Sequence, residues 1–307
     1  TTFDYESNAS TYLIRVQVRD EFNATMEGNF TVFLTDVLYE TSQPNHIFDL
    51  NATVNLQMIW VEPGTFTMGS PTSEANRDPN ETEHNVTLTK GFYLGKYELT
   101  QAQYQAVMTG NGNGLSATPS LYTGNPNHPV EKVSWNDAQI FLSRLNSVEH
   151  AAGRLPAGWS YVLPTESQWE FACRAGTVTT YSWGNSIAAS NANYDQSGIG
   201  NSRQVGKYAA NPWGFYDMHG NVSEWIRDWW GGASSGASVS DPTGPSSGSS
   251  KIRRGGGFNY PAEALRSAKR MGGAGYSPND RYLNLGFRVS YQQVNISPTN
   301  LNALTPL

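Results

Sequence analysis

With a single cysteine, Cys173, the chain of 307 residues cannot form a disulfide within itself. Charge is scarce as well: Asp, Glu, Lys and Arg make up 15% of the residues, against about 25% in a typical soluble protein. The net charge of −6 leaves no excess of basic side chains to neutralise phosphates, so nucleic acid is not an expected partner. No apolar run approaches the ~20 residues of a membrane span, and the start has no signal-like pattern. No membrane span is therefore expected, and Thr1 is expected to open a processed fragment. The five histidines, His46, His84, His128, His150 and His219, show no ligand spacing, and each reads as a surface or capping residue. No Ser-His-Asp order, phosphate loop after a strand or paired-carboxylate motif stands out. What is plentiful is Asn, Ser, Thr and Gly, which give a polar but weakly ionic surface. A large extracellular domain does without disulfides when its core is large or calcium braces its loops, and this composition leans extracellular or cell-surface.

Residues 1–40 read apart from the rest. "STYLIRVQVRD" alternates Leu13, Arg15 and Gln17 against Ile14, Val16 and Val18, and "NFTVFLTDV" sets Phe30, Val32 and Leu34 on one face. Both have the period of two that marks a strand, and a polar turn, "EFNATMEG", is expected between them. With "FDYE" they resemble the closing strands of a cadherin-like repeat, a partial β-sandwich whose other strands would come from a longer chain or a partner. The alternative is a hairpin that packs on the main domain. Residues 41–49 read as a linker and 293–307 as a polar tail. Between them, 50–292 reads as one large domain. "LQMIWVEPGTFTMGS" predicts two strands around a Pro-Gly turn. Three helices are predicted. One follows Thr100, a second carries Ala138, Phe141, Leu142 and Leu145 behind Ser134 or Asn136, and a third opens on a Thr165–Gln168 capping box. From Gly176 to about Ser250 periodicity fades, so something other than regular backbone pairing must pin that stretch.

Read in order, "IWVEPGTFTMGS", "HNVTLTKGFYLGKYELTQAQY", "HPVEKVSWNDAQIF", "LPTESQWEFACRAGT", "NPWGFYDMHGNVSEW", "RRGGGF" and "NLGFRVS" resemble the formylglycine-generating-enzyme, or sulfatase-modifying-factor, family. The resemblance implies an irregular α+β, C-type-lectin-like fold. The oxygen-dependent enzymes of that family hold copper(I) between two cysteines just beyond the segment matching "RRGGGF", thiolates being soft ligands for a soft ion. Those positions fall on Tyr260 and Leu265, neither of which supplies a thiolate. The family's serine after the glycines is Gly257, and the tryptophan of its "GNVWEW" is Ser223. Cys173 lies in a different motif and reads as a small core residue. No copper is expected. A branch using non-haem iron needs a histidine-rich site from an added domain, which the histidines do not form. The glycines at 255–257 are expected to permit close backbone packing.

The resemblance also implies calcium at Asp217, Gly220, Val222 and Glu224, two carboxylates with two carbonyls from a tight loop, which suits a hard ion. A second family site maps in part onto Asn193 and Tyr194. Trp213, Phe215, Trp225, Trp229 and Trp230 are expected in the core around this loop, with Trp229 or Trp230 the candidates for a glycan-binding surface. Arg254, Arg266, Arg270 and Arg288 are expected to bond loop carbonyls and carboxylates. Together these features predict a non-catalytic binding or assembly module that associates with itself, other surface proteins or glycans, through strand addition at its N-terminal strands. The rivals are a divergent oxidoreductase of the family and a soluble carbohydrate-binding domain.

Overall fold

A computed structural model describes residues 11–19, 25–33, 46–273 and 275–294. The chain divides into two units, residues 1–43 and 44–307. In the first, β1 (Thr11–Arg19) and β2 (Thr25–Phe33) pair antiparallel, with Tyr12 opposite Val32 and Val18 opposite Met26. The turn is shorter than predicted, because Thr25–Gly28 pair with Arg19–Val16 and so belong to β2. "FDYE" and the end of the predicted second strand lie outside the described residues.

In the second unit, the stretch predicted as a linker ends in a strand, β3 (His46–Asp49), which pairs with β4 (Asn55–Val61). Phe48 explains it: the ring is buried edge-on against Tyr161 and Tyr291, and His46 stacks on it at 3.9 Å. With β7 (Phe92–Gly95), β8 (Trp159–Val162) and β13 (Ser290–Gln293) these strands form an antiparallel sheet of order β3-β4-β7-β13-β8. The Pro-Gly turn is not a hairpin. Beyond it, β5 (Gly64–Met68) leaves for a second sheet beside β6 (His84–Leu88) and β10 (Val239–Ser240).

All three helices start where side chains satisfy their free N–H groups. Thr100 and Gln103 cap α1 (Gln101–Met108), Ser134 and Asp137 cap α2 (Trp135–Ala151), and Thr165 and Gln168 cap α3 (Glu166–Arg174), each as a reciprocal box. The predicted stripe of α2 is buried: Phe141 stacks on Tyr104 at 5.5 Å and meets Phe287 edge-on. Removing such a ring from a core costs about 3–5 kcal/mol.

The aperiodic stretch is held by asparagine side chains and one central strand. Asn211 accepts from the Trp213 and Phe215 N–H groups and donates to the Ala172 and Cys173 carbonyls. The strand β9 (Ser223–Trp229) lies between β11 (Lys251–Arg254) and β12 (Leu285–Phe287). Both its faces are largely covered, so it lacks the alternation that marks a half-buried strand. Trp225 and Phe215 are core, as expected, and Trp213 and Trp230 pack against it. The ring of Trp229 lies under the Lys251 ammonium at 3.6 Å.

Candidate functional site

Beyond β11 the chain runs into Gly255 and Gly256, both left-handed at φ +90 and +71. A Cβ on Gly256 would sit 2.7 Å from the Leu265 side chain and 2.9 Å from the Ala264 carbonyl. Gly256 therefore admits close packing of the 3-10 turn at Ala262–Leu265, and Gly255 that of Trp169 and the Met218 carbonyl, as the sequence suggested. The two positions matching the family's copper-binding cysteines face different surroundings. Leu265 is fully buried in a small apolar cluster with Tyr181, Ala192, Tyr194 and Ala264. Tyr260 lines an open cleft of about 540 Å³, together with Lys132, Arg253, Tyr276, Arg281 and Tyr282.

Cys173 and His219 meet in the interior, the thiol 3.5 Å from Nε2. Of the two readings the sequence offered for His219, a surface or a capping residue, the surface one does not hold. His219 is 4% exposed, because Met218 and Cys173 draw that segment against the core. Its Nδ1 donates to the Leu265 carbonyl at 2.7 Å, and Nε2 accepts from the Ser182 N–H at 3.2 Å. Burial pushes the thiol up to about 12 and the imidazole down to about 4. Both groups are neutral at physiological pH, so the pair supplies no thiolate nucleophile.

The loop 217–224 is turned by left-handed residues at Asp217, Gly220 and Asn221. Gly220 is compelled: a Cβ there would lie 2.4 Å from the Asn193 carbonyl. Asn221 ties the loop down, donating to Glu98 at 2.6 Å and accepting from the Arg203 N–H at 2.8 Å and the Asn193 amide at 3.1 Å. The Val222 N–H donates to the other Glu98 oxygen at 2.8 Å. Glu224 accepts a fork from Arg288, with Nη2 at 2.8 Å and Nε at 3.1 Å, and a bond from the Trp169 indole at 2.8 Å. Asp217 accepts from the Gly206 N–H at 2.7 Å.

Three buried carboxylates thus share the neighbourhood of one guanidinium. Burial raises Glu98 well above the usual carboxylate range, with the charges of Asp217 and Glu224 adding to it. Burial likewise pushes Asp217 up to about 6. A surplus of buried carboxyl groups suits a cation, which would hold them ionised, and Asp217 with the Gly220 and Val222 carbonyls fits one in donor type. Glu224 fits less well as a direct ligand, since both its oxygens already accept bonds from Arg288 and Trp169. Asn193 and Tyr194 fit poorly: the Asn193 side-chain oxygen and the Tyr194 carbonyl both accept from Ser197, at 3.0 and 2.7 Å. Among the described residues no group of three or more His, Cys, Asp or Glu side chains is arranged to hold a metal ion. Sequence reasoning missed Glu98, whose partners lie more than 120 residues away. Nothing local distinguishes it from an ordinary acid ahead of a helix.

The arginines behave as expected. Arg254, fully buried, reaches Glu166, Glu170 and the Ser267 and Lys269 carbonyls. Arg266 pairs with Glu74 and Glu81, and Arg270 with Glu166.

Residues 46–292 match the sulfatase-modifying factor enzyme 1-like domain. The chain belongs to this family. Among its relatives is the formylglycine-generating enzyme of Mus musculus, 24% identical over 292 residues that cover 76% of this chain and 74% of the mouse protein. Among solved structures, Treponema denticola variable protein 1 superposes with a TM-score of 0.69 at 26% identity, over 81% of this chain and 99% of that one. PvdO from Pseudomonas aeruginosa gives 0.68 at 26%, over 82% and 100%. The α+β fold of the formylglycine-generating-enzyme family is thereby established for this chain.

Proposed function

We propose that this chain is a non-catalytic binding and assembly module, extracellular or cell-surface, built on the formylglycine-generating-enzyme fold. The observation that carries this reading is the state of the wall beside "RRGGGF". The positions matching the family's thiolates are a tyrosine in an open cleft and a leucine sealed in an apolar cluster. The chain's one thiol is buried in α3 and held protonated. Neither side chain supplies a thiolate for copper(I), so the wall lacks the ligands for the family's oxygen chemistry.

Calcium belongs to the proposal as a brace at the loop 217–224. Support comes from the surplus of carboxylates there: among the described residues Arg288 is the cation that acts on both Glu98 and Asp217, and it also pairs with Glu224. Asp217 and the carbonyls of Gly220 and Val222 would hold the ion, with Glu224 and Glu98 supplying negative charge behind them. Bound there, calcium would neutralise the buried acids and stiffen the loop. Assembly would use the first unit, as the end of a cadherin-like repeat: among the described residues β1 and β2 pair only with each other, which leaves an open edge on each strand. The glycan alternative loses support at Trp229, whose ring is covered by Lys251. At Trp230 it loses support too, since that indole packs on Gly272 so closely that a Cβ there would lie 2.1 Å from the ring.

Electron microscopy and light scattering on the full chain, with calcium and with chelator, test the assembly. Ordered polymers or closed oligomers that loosen on chelation are expected. Monodisperse monomer at high concentration with calcium present would contradict self-assembly.

A further inference from the structure

Arg253 breaks the pattern of its neighbours. Each of Arg254, Arg266, Arg270 and Arg288 has a carboxylate partner, and all four reach backbone carbonyls as well. Arg253 is 1% exposed, yet its side chain has no hydrogen-bond or ion-pair partner among the described residues, and its buried Nε is unsatisfied. Three rings surround it: the guanidinium carbon lies 4.0 Å from the centre of Tyr276, 5.4 Å from Tyr282 and 6.0 Å from Trp225. A buried guanidinium is costly without an anion, and stacking on aromatic faces offsets only part of that cost.

This cation lines the cleft of about 540 Å³ that also takes in Tyr260. Lys132 and Arg281 line it too, and no carboxylate does. Arg281 gives Nε and Nη2 to Asp137, which leaves Nη1. Two further acids stand near the cleft: Asp280 interacts with Tyr282 and accepts from the Ser277 N–H, and Glu131 accepts from the Leu121 and Tyr122 N–H groups and faces the charge of Lys132. At one side the Asn284 amide donates to Asn259 at 2.7 Å. The rest of the lining is flat or apolar: Tyr260, Tyr276, Tyr282, Leu121 and Leu283.

We propose that this cleft binds a ligand through a two-oxygen anion, a carboxylate or phosphate monoester, seated on the Arg253 fork, with a planar body between the tyrosines. The guanidinium fork matches two oxygens of such a group. The stacked rings hold it ready, so little ordering is needed on binding. The proposal rests on the cleft being a binding site rather than a reaction site. Where a family enzyme would place its metal, Tyr260 supplies a wall for the ligand.

Calorimetric titration of the full chain with benzoate, phenyl phosphate and neutral benzyl alcohol tests this. Wild type is expected to bind at least one of the two anions at one site, with benzyl alcohol about tenfold weaker or worse. Which anion prevails separates a carboxylate from a phosphate ligand. R253M is expected to lose the anion by roughly tenfold or more, and R253K to keep part of it. Because R253M removes an unpaired buried charge, its ligand-free melting midpoint is expected to rise. Equal anion affinity in R253M and wild type, or no anion binding in wild type, overturns the proposal. A sharp fall of the R253M midpoint would overturn it as well, by showing that the guanidinium is satisfied within the fold. Incubating the same wild-type sample with a cysteine peptide separates the two claims: an unoxidised peptide with no anion binding sinks only the anion site, whereas an oxidised peptide sinks the binding reading itself.

Discussion

Replacing Arg288 by methionine strikes the point where the loop 217–224 is joined to the sheets. The guanidinium, fully buried, holds Glu224 by a fork and donates to the Gly95 carbonyl at 2.9 Å and the Tyr216 carbonyl at 2.8 Å. Methionine fills similar space but leaves Glu224 as an uncompensated anion beside Glu98 and Asp217. Removing one partner of a buried pair costs about 3–5 kcal/mol. Two carbonyls that lose a donor add roughly 1 kcal/mol each. R288M should therefore lose about 5–7 kcal/mol, a large share of the 5–15 kcal/mol that a typical domain has. E224Q should cost less, because its amide oxygen still accepts from Trp169. The E224Q/R288M double variant should be less damaged than the sum by about 1–3 kcal/mol, since neither charge is then stranded. Urea denaturation followed by tryptophan fluorescence reads all three, with nine tryptophans as reporters. An R288M midpoint close to wild type, or strictly additive costs, would refute this account of the ion pair. If the calcium brace is real, calcium should raise the R288M midpoint more than the wild-type one, because more negative charge then awaits it.

His219 gives a pH signature. Its folded value, about 4, lies below the ordinary 6.5, so the unfolded chain binds the proton first as pH falls. The stability it confers is complete above 6.5 and drains away as pH drops towards 4, by roughly 3 kcal/mol in all. Asp217 and Asp228, raised to about 6 and about 7, act in the opposite sense: their contribution is full below 3.8 and is lost as pH rises through those values. Subtracting the pH–stability curve of H219Q from that of wild type cancels the two acids. A flat difference between pH 7 and pH 4 would contradict the buried neutral histidine. Gly220→Ala should cost on the order of 3 kcal/mol, from a strained backbone and a clash with the Asn193 carbonyl. Gly112→Ala, in open space, should be neutral or slightly stabilising, and similar melting shifts for the two would count against the loop geometry.

The Thr165–Gln168 box was legible because its partners lie three residues apart, whereas at Thr100 only the cap was named and at α2 the start was left between Ser134 and Asn136. The stripe of α2 was legible for the same reason, since helical periodicity is local. β3 was hidden because Phe48 is a strand residue only by virtue of Tyr161 and Tyr291, far along the chain. β9 was hidden because burial on both faces erases alternation. At the site, Asp217 and Glu224 could be named from one motif, but not what they do. Glu224 answers to Arg288, and Glu98 joins them from another part of the sequence. The lone state of Arg253 was the least visible feature, since "KIRR" gives no sign that one arginine is unpaired and the next is paired.

The most direct test is to load the full chain with copper(I), remove unbound metal, and expose it to oxygen with a cysteine-containing peptide. Metal analysis and mass spectrometry of the peptide are then read together. With a tyrosine and a leucine at the positions matching the family's copper-binding cysteines and the only thiol sealed in the core, the prediction is no stoichiometric copper and an unaltered peptide. One copper per chain with aldehyde in the peptide would contradict the claim that this fold serves here to bind rather than to react.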